Sequence, residues 1–205
     1  MFGKPSKRAA FLAESAPDPM LEFAPHSPEM RLYTMMKKIL CLILLCLAGI
    51  VPIAHANTDG EVAIGATLKD SQMQGLSGPS KKLSSFYGKP LVINVWASWC
   101  GPCRKEMGSL QRLSRRAGGT QFNVIGISTD DYRESAAAFL KHAKTTFPNF
   151  IDHDVILENM LGADRIPLTI LVDAHGRVLD KFYGANEWDS PEAIDMLSRT
   201  FRLKL

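Results

Sequence analysis

Cysteine is scarce in this 205-residue chain: two of the four stand at positions 41 and 46, and only Cys100 and Cys103 follow. A fold stapled by several disulfides is thereby excluded. Beyond residue 56 histidine is equally sparse, with His142, His153 and His175 at unrelated spacings. A structural metal site, which takes about four ligands, has no pattern to rest on. Long hydrophobic runs are lacking too. The apolar run Ile39–Ile53 has 15 residues, short of the roughly 20 that a spanning helix needs, and Gly49 and Pro52 interrupt its end. Neither repeats nor low-complexity tracts are present, which leaves solenoids and linkers aside. Net charge is small as well. Six of the 24 basic and four of the 21 acidic residues fall in 1–56, leaving 18 and 17, a balance with no footprint for nucleic acid. What is present, 46% hydrophobic and 22% charged residues, is ordinary globular composition with room for one domain.

The N-terminal third reads as a targeting region. From Met35, "MMKKILCLILLCLAGIVPIAHAN" sets two lysines before the apolar run and Ala54-His55-Ala56 after it. That is the order of a cleavable secretory signal over 35–56, with cleavage after Ala56 and loss of Cys41 and Cys46. The alternative is an uncleaved anchor that holds the protein at the membrane. Residues 1–34 lie upstream of the signal, rich in Pro and Ala, and read as a leader or start-site artefact without a fold. Residues 57–205 are then the domain.

Within 61–87, Gly60, Gly65, Gly75, Gly78 and Pro79 break the chain into small strands and turns. "PLVINVWA" is a strand buried on both faces. A helix follows from Gly101 to Arg116, with Met107, Leu110 and Leu113 on one side. "FNVIGIS" (122–128) is a second buried strand, followed by a helix over 133–144, and this alternation implies parallel pairing through a crossover. "LTILVDAHGRVLDKFYG" is a hairpin turning at Ala174-His175-Gly176. Ser190 caps a closing helix with Pro191 at its first position. A β-α-β half followed by a β-β-α half implies an α/β fold with a central mixed sheet and helices on both faces.

Cys100 and Cys103 therefore fall where a central strand ends and a helix begins. A helix N-terminus favours the thiolate, which is the nucleophilic form, so Cys100 is activated there. Cys103, one turn on, is placed to attack a mixed disulfide formed at Cys100. Pro102 supplies no N–H and is tolerated in a first turn. A permanent staple is the alternative, but a bridge closing so short a loop removes little chain entropy. Redox chemistry is the better reading of the pair.

The segment "GKPLVINVWASWCGPCRKEM", with "LSSFYGKP" before the strand and "DRIPLTILVDAHGRVLDKFYG" near the end, is similar to exported TlpA/ResA-type thiol-disulfide oxidoreductases of the thioredoxin superfamily. The resemblance spans nearly all of 57–205 and implies a thioredoxin-like fold. It makes Cys100 the attacking and Cys103 the resolving cysteine, with no cofactor beyond their disulfide. Ile166-Pro167 matches the cis-proline position that faces the disulfide, where the backbone of Ile166 would pair with a substrate strand. The alternative is a trans proline opening the next strand. Trp99, Gly101, Pro102 and Ile166 are expected to form the surface that a substrate meets. Two departures stand out. Asn94 occupies the place of the buried Asp of cytoplasmic thioredoxins and cannot exchange a proton. Glu106 matches an acid that such proteins place three residues after the second cysteine, where it would serve the resolving thiol as acid and base. Its other reading is a solvated helix-face Glu beside Arg104 and Lys105. Gly108 replaces a common Pro, so a weaker helix kink is expected.

The resemblance further implies a periplasmic, monomeric reductant of protein disulfides, with apocytochrome c among its substrates and a membrane thiol-electron donor behind it. Two other classes remain: a copper-handling metallochaperone using the reduced pair as soft ligands, and a thiol peroxidase on the same fold.

Overall fold

The structure is a computed structural model that describes residues 32–33, 35–40, 60–117 and 120–205. The chain divides into two compact units, Met1–Ala54 and His55–Leu205. In the first, residues 32–33 and 35–40 are helical and exposed, with Lys37 Nζ 5.1 Å from the centre of the Tyr33 ring. The remainder of the leader and signal assignments, with Cys41 and Cys46, lies outside the described residues. Among the described residues no helix is long and apolar enough to cross a membrane.

In the second unit, β1 (Gln72–Gly75) and β2 (Lys81–Lys82) precede a 3-10 turn, Leu83–Phe86. Then come β3 (Leu91–Trp96), α1 (Gly101–Ala117), β4 (Asn123–Ser128), α2 (Arg133–Ala143), β5 (Asn149–Ile151), α3 (Ile156–Leu161), β6 (Leu168–Val172), β7 (Val178–Tyr183) and α4 (Pro191–Phe201). The strands form one sheet in the order β2-β1-β5-β4-β3-β6-β7. The β3/β4 and β4/β5 pairs are parallel, whereas β3/β6, β6/β7, β1/β5 and β1/β2 are antiparallel. The sheet is mixed, as the β-α-β and β-β-α halves imply. Two short elements between 145 and 165, β5 and α3, add to the sequence reading. With three and six residues they are too brief for a hydrophobic period to register.

Side-chain alternation along β3 divides the core. Leu91, Ile93 and Val95 face one layer with Ile125, Ile127, Ile170 and Leu157 and Leu161 of α3. Val92 and Trp96 face the other, with Cys103, Met107, Leu110 and Leu113 of α1, Leu140 of α2 and Leu197 of α4. By the same parity Asn94 points toward α1. The terminal elements are closed by local chemistry. Ser190 Oγ accepts the Ala193 N–H at 3.2 Å with Pro191 in the first turn of α4. In the β6/β7 turn Asp173 Oδ1 accepts the N–H groups of His175 and Arg177, and Gly176 takes a φ of 84°.

Candidate active site

β3 ends at Trp96, and a four-residue turn carries the chain into α1. The Cys100 N–H donates to Ala97 O at 3.1 Å, which closes that turn. Cys100 and Cys103 form a disulfide with their Cα atoms 5.3 Å apart. The Cys103 N–H points at Cys100 Sγ from 3.2 Å, so the first turn of α1 offers a backbone donor to that sulfur. Cys100 is 5% exposed and Cys103 wholly buried, so the helix covers the second cysteine more completely than the first. Gly101 and Pro102 are exposed beside them, and Trp99 stands out at 69% exposure. Trp96 instead packs inside, its Nε1–H donating to Asn149 Oδ1 at 3.0 Å. Across from the disulfide the Ile166–Pro167 peptide is cis, and Ile166 O lies 3.8 Å from Cys100 Sγ. Pro167 is buried, and its carbonyl accepts the Gly184 N–H.

Glu106 lies three residues after Cys103 and is 1% exposed, which corrects the alternative of a solvated helix face. Cys103, Glu106, Leu110 and Leu113 follow the inward stripe of α1, so the period itself places the carboxyl inside. Asn94 Nδ2 donates to Glu106 Oε1 at 2.7 Å and to Thr169 Oγ1 at 3.0 Å. The Asn186 N–H and the Trp188 Nε1–H both donate to Glu106 Oε2 at 3.1 Å. Asn94 Oδ1 is buried with no partner. Burial pushes the Glu106 carboxyl above its ordinary pKa, against the pull of these three donors, and the charge of Glu187 adds to the rise. Ser109 continues the attachment: its hydroxyl donates to Glu106 O and accepts the Trp188 N–H. The loop after β7 is thus fastened along α1. At position 108 the helix runs on unbroken.

A second carboxylate approaches from β4. Asp130 is 3% exposed. Its Oδ2 accepts the Ser98 N–H at 2.9 Å and the Ser128 hydroxyl at 2.7 Å, and its Oδ1 accepts the Ser98 hydroxyl. Beside Trp99 and Ile166 opens a cleft of about 380 Å³ that Asp130, Asp131, Asp152 and Glu158 also line. Among the described residues no group of three or more His, Cys, Asp or Glu gathers to hold a metal ion.

The structure brings Trp99, Cys100, Gly101, Pro102 and Cys103 together with Ile166 and Pro167, and sets Glu106 beneath them on the same helix. Sequence reasoning did not reach Thr169, Asn186, Trp188, Ser98 or Asp130. One signal for Asp130 was available. It follows the C-terminal end of a parallel strand beside β3, where sites in such sheets form. Trp188 and Asn186 carried no signal, because the loop that holds them has no period.

A Redoxin family model matches residues 63–197 of this chain. The chain belongs to the Redoxin family. Among curated relatives, this Redoxin is similar to the thiol-disulfide oxidoreductase ResA of Geobacillus thermodenitrificans, 28% identical over 144 residues that cover 70% of this chain and 83% of the relative. It is also similar to the thiol:disulfide interchange protein DsbE of Vibrio cholerae, 30% identical over 126 residues, or 60% of this chain and 66% of the other. Among solved structures, a DsbF homologue from Corynebacterium diphtheriae superposes with a TM-score of 0.56 at 29% identity, covering 64% of this chain and 87% of that one. The fold is thioredoxin-like, and this Redoxin is a thiol-disulfide oxidoreductase of the ResA/DsbE type with a Cys-x-x-Cys pair.

Proposed function

We propose that this Redoxin is an exported reductant of protein disulfides, with Cys100 as the attacking and Cys103 as the resolving cysteine. The difference in exposure carries the reading: Cys100 keeps 5% of its surface exposed next to exposed Trp99 and its Sγ receives a backbone N–H, whereas Cys103 is wholly buried. The reduced Cys100 thiolate attacks one sulfur of a substrate disulfide, and the substrate S–S bond breaks, its leaving sulfur taking a proton. Cys103 then gives up its proton and attacks Cys100 Sγ, forming the intramolecular disulfide and expelling the second substrate thiolate. The substrate gains the two electrons that the protein loses, and its two thiolates take up one proton given by Cys103 and one from solvent. Glu106, raised in pKa within the same helix turn, takes the proton from Cys103. Trp99, Gly101, Pro102 and the backbone of Ile166 meet the substrate strand beside Pro167.

The proposed organisation is a leader over 1–34, a signal peptide over 35–56 and a domain from 57 to 205, which places the protein in the periplasm. An oxidising periplasm requires electrons from a membrane thiol donor. By the resemblance to TlpA/ResA-type proteins, apocytochrome c disulfides are among the proposed substrates.

Trapping tests this reading. Cys103→Ser keeps the attacking thiol and deletes the resolving one, so full-length protein expressed with its own N-terminus is expected to accumulate adducts released by dithiothreitol, and Cys100→Ser is not. Mass spectrometry of the adducts names the substrates and the donor, and N-terminal sequencing of the exported protein locates the cleavage. Equal adducts from both variants would overturn the assignment of Cys100. Their absence from both, with Cu(I) bound tightly by the native pair or peroxide consumed, would move the protein to the copper or peroxidase class.

A further inference from the structure

The turn that carries Cys100 is secured from below by one side chain. Ser98 stands two residues before Cys100 and only half-buried, and both of its hydrogen-bond donors, N–H and O–H, go to the carboxylate of Asp130. Asp130 is itself fixed from two directions. The Ser128 hydroxyl donates to its Oδ2, and the Asp130 N–H donates back to Ser128 Oγ. Ser128 pairs in register with Trp96, and the Thr129 N–H donates to Trp96 O at 2.9 Å, so the clamp is built on the locked ends of β3 and β4. Bonds to an ionised acceptor are the stronger kind and hold orientation as well as distance.

We propose that Asp130 is a positioning residue for Cys100, acting through Ser98. It holds the turn Ala97–Cys100 so that Cys100 Sγ stays under the Cys103 N–H and beside Ile166 O, the geometry in which the thiolate is favoured and aimed at a substrate. The proposal rests on Cys100 being the attacking thiol. Charge alone predicts the opposite behaviour. A buried carboxylate near a thiolate disfavours it, so neutralising Asp130 would raise the thiolate fraction if the charge acted directly. Loss of positioning lowers it. The sign of the change separates the two.

The experiment follows alkylation of Cys100 by iodoacetamide in full-length Cys103→Ser protein at neutral pH, read at the Cys100 peptide by mass spectrometry, with thermal unfolding in parallel. Asp130→Asn is expected to slow alkylation about tenfold and Ser98→Ala about threefold, since the Ala variant keeps the backbone bond. Ser98→Thr, which keeps the hydroxyl, is expected to restore the native rate. The double variant is expected to be no slower than Asp130→Asn alone, because the two groups act as one unit. Faster alkylation in Asp130→Asn with Ser98→Ala unchanged would overturn the proposal in favour of direct charge. Unchanged alkylation in Ser98→Ala with only a lowered unfolding temperature would overturn it in favour of a structural role, and that variant reports even where Asp130→Asn fails to fold. The underlying assignment of Cys100 is decided separately by the trapping of Cys100→Ser, in which Asp130 is untouched.

Discussion

Two carboxylates are buried beside the disulfide, each with three donors, and they are held by different means. The donors of Asp130 come from one short turn and from Ser128 at the end of β4, two residues before it. Those of Glu106 come from β3 and from a loop 80 residues away in the chain. One is a clamp in which the two released donors of half-buried Ser98 can turn to water and only the Ser128 hydroxyl is enclosed. The other ties distant elements through Asn94 and Trp188, which are enclosed and have no water to turn to. Similar coordination thus implies unequal dependence on the carboxylate.

The sharpest break of that comparison is by truncation. Glu106→Ala strands the enclosed Trp188 Nε1–H, weakens the satisfaction of Asn94, removes the acceptor of the Asn186 N–H, and leaves a void. At about 1–3 kcal/mol for each unsatisfied buried group, urea denaturation of the oxidised protein is expected to show a loss of about 3–5 kcal/mol. Asp130→Ala is expected to lose about 1–2 kcal/mol in the same measurement. Equal losses would erase the distinction between clamp and anchor.

The next test separates the chemistry. Glu106→Gln is expected to slow release of the mixed disulfide by about tenfold or more, the scale of lost acid–base assistance, and to leave its formation at Cys100 unchanged. Rapid quenching during reduction of a small-molecule disulfide resolves the two steps. Equal slowing of both would leave Glu106 a structural anchor alone.

A smaller effect appears in stability against pH. The Glu106 carboxyl is raised by burial, so the folded chain retains a proton that the unfolded chain has released, over the window between the ordinary carboxylate value and the raised one. Stability from this group is full below the window and is lost as pH rises through it. The native protein is therefore expected to lose stability relative to Glu106→Gln as pH increases across that range. Groups lowered in the fold, such as Asp70 and Asp189, titrate in both proteins and cancel in the difference. A difference that is flat in pH would contradict the burial argument. Least of all is expected from Arg112→Ala. Its ion pairs with Asp189 and Glu187 clasp the same loop from the exposed side of α1, where solvent screens them, and the denaturation midpoint is expected to stay nearly fixed.

The sequence made legible what short-range physics writes. The buried run Leu91–Trp96, the N-terminal placement of the cysteines, the Asp173–Gly176 turn and the Ser190 cap are each decided by neighbouring residues. Glu106 was half legible. Its spacing from Leu110 and Leu113 puts it on the inner stripe, yet a charged residue between Lys105 and Met107 also fits the edge of that stripe. Asn186 and Trp188 were illegible, because what brings them to Glu106 is the β6/β7 hairpin returning across the sheet, a consequence of tertiary pairing. Asp130 was hidden by composition, one Asp in "STDDY" at a strand end where turns ordinarily carry such residues.

The enclosure of Cys103 has a kinetic meaning. With one sulfur reachable, the proposed substrate and the proposed electron donor must enter by the same doorway, and neither can be present while the other reacts. Turnover then alternates between two half-reactions, and initial rates measured against both reactants are expected to give the parallel double-reciprocal lines of a ping-pong scheme, with each partner an inhibitor of the other at high concentration.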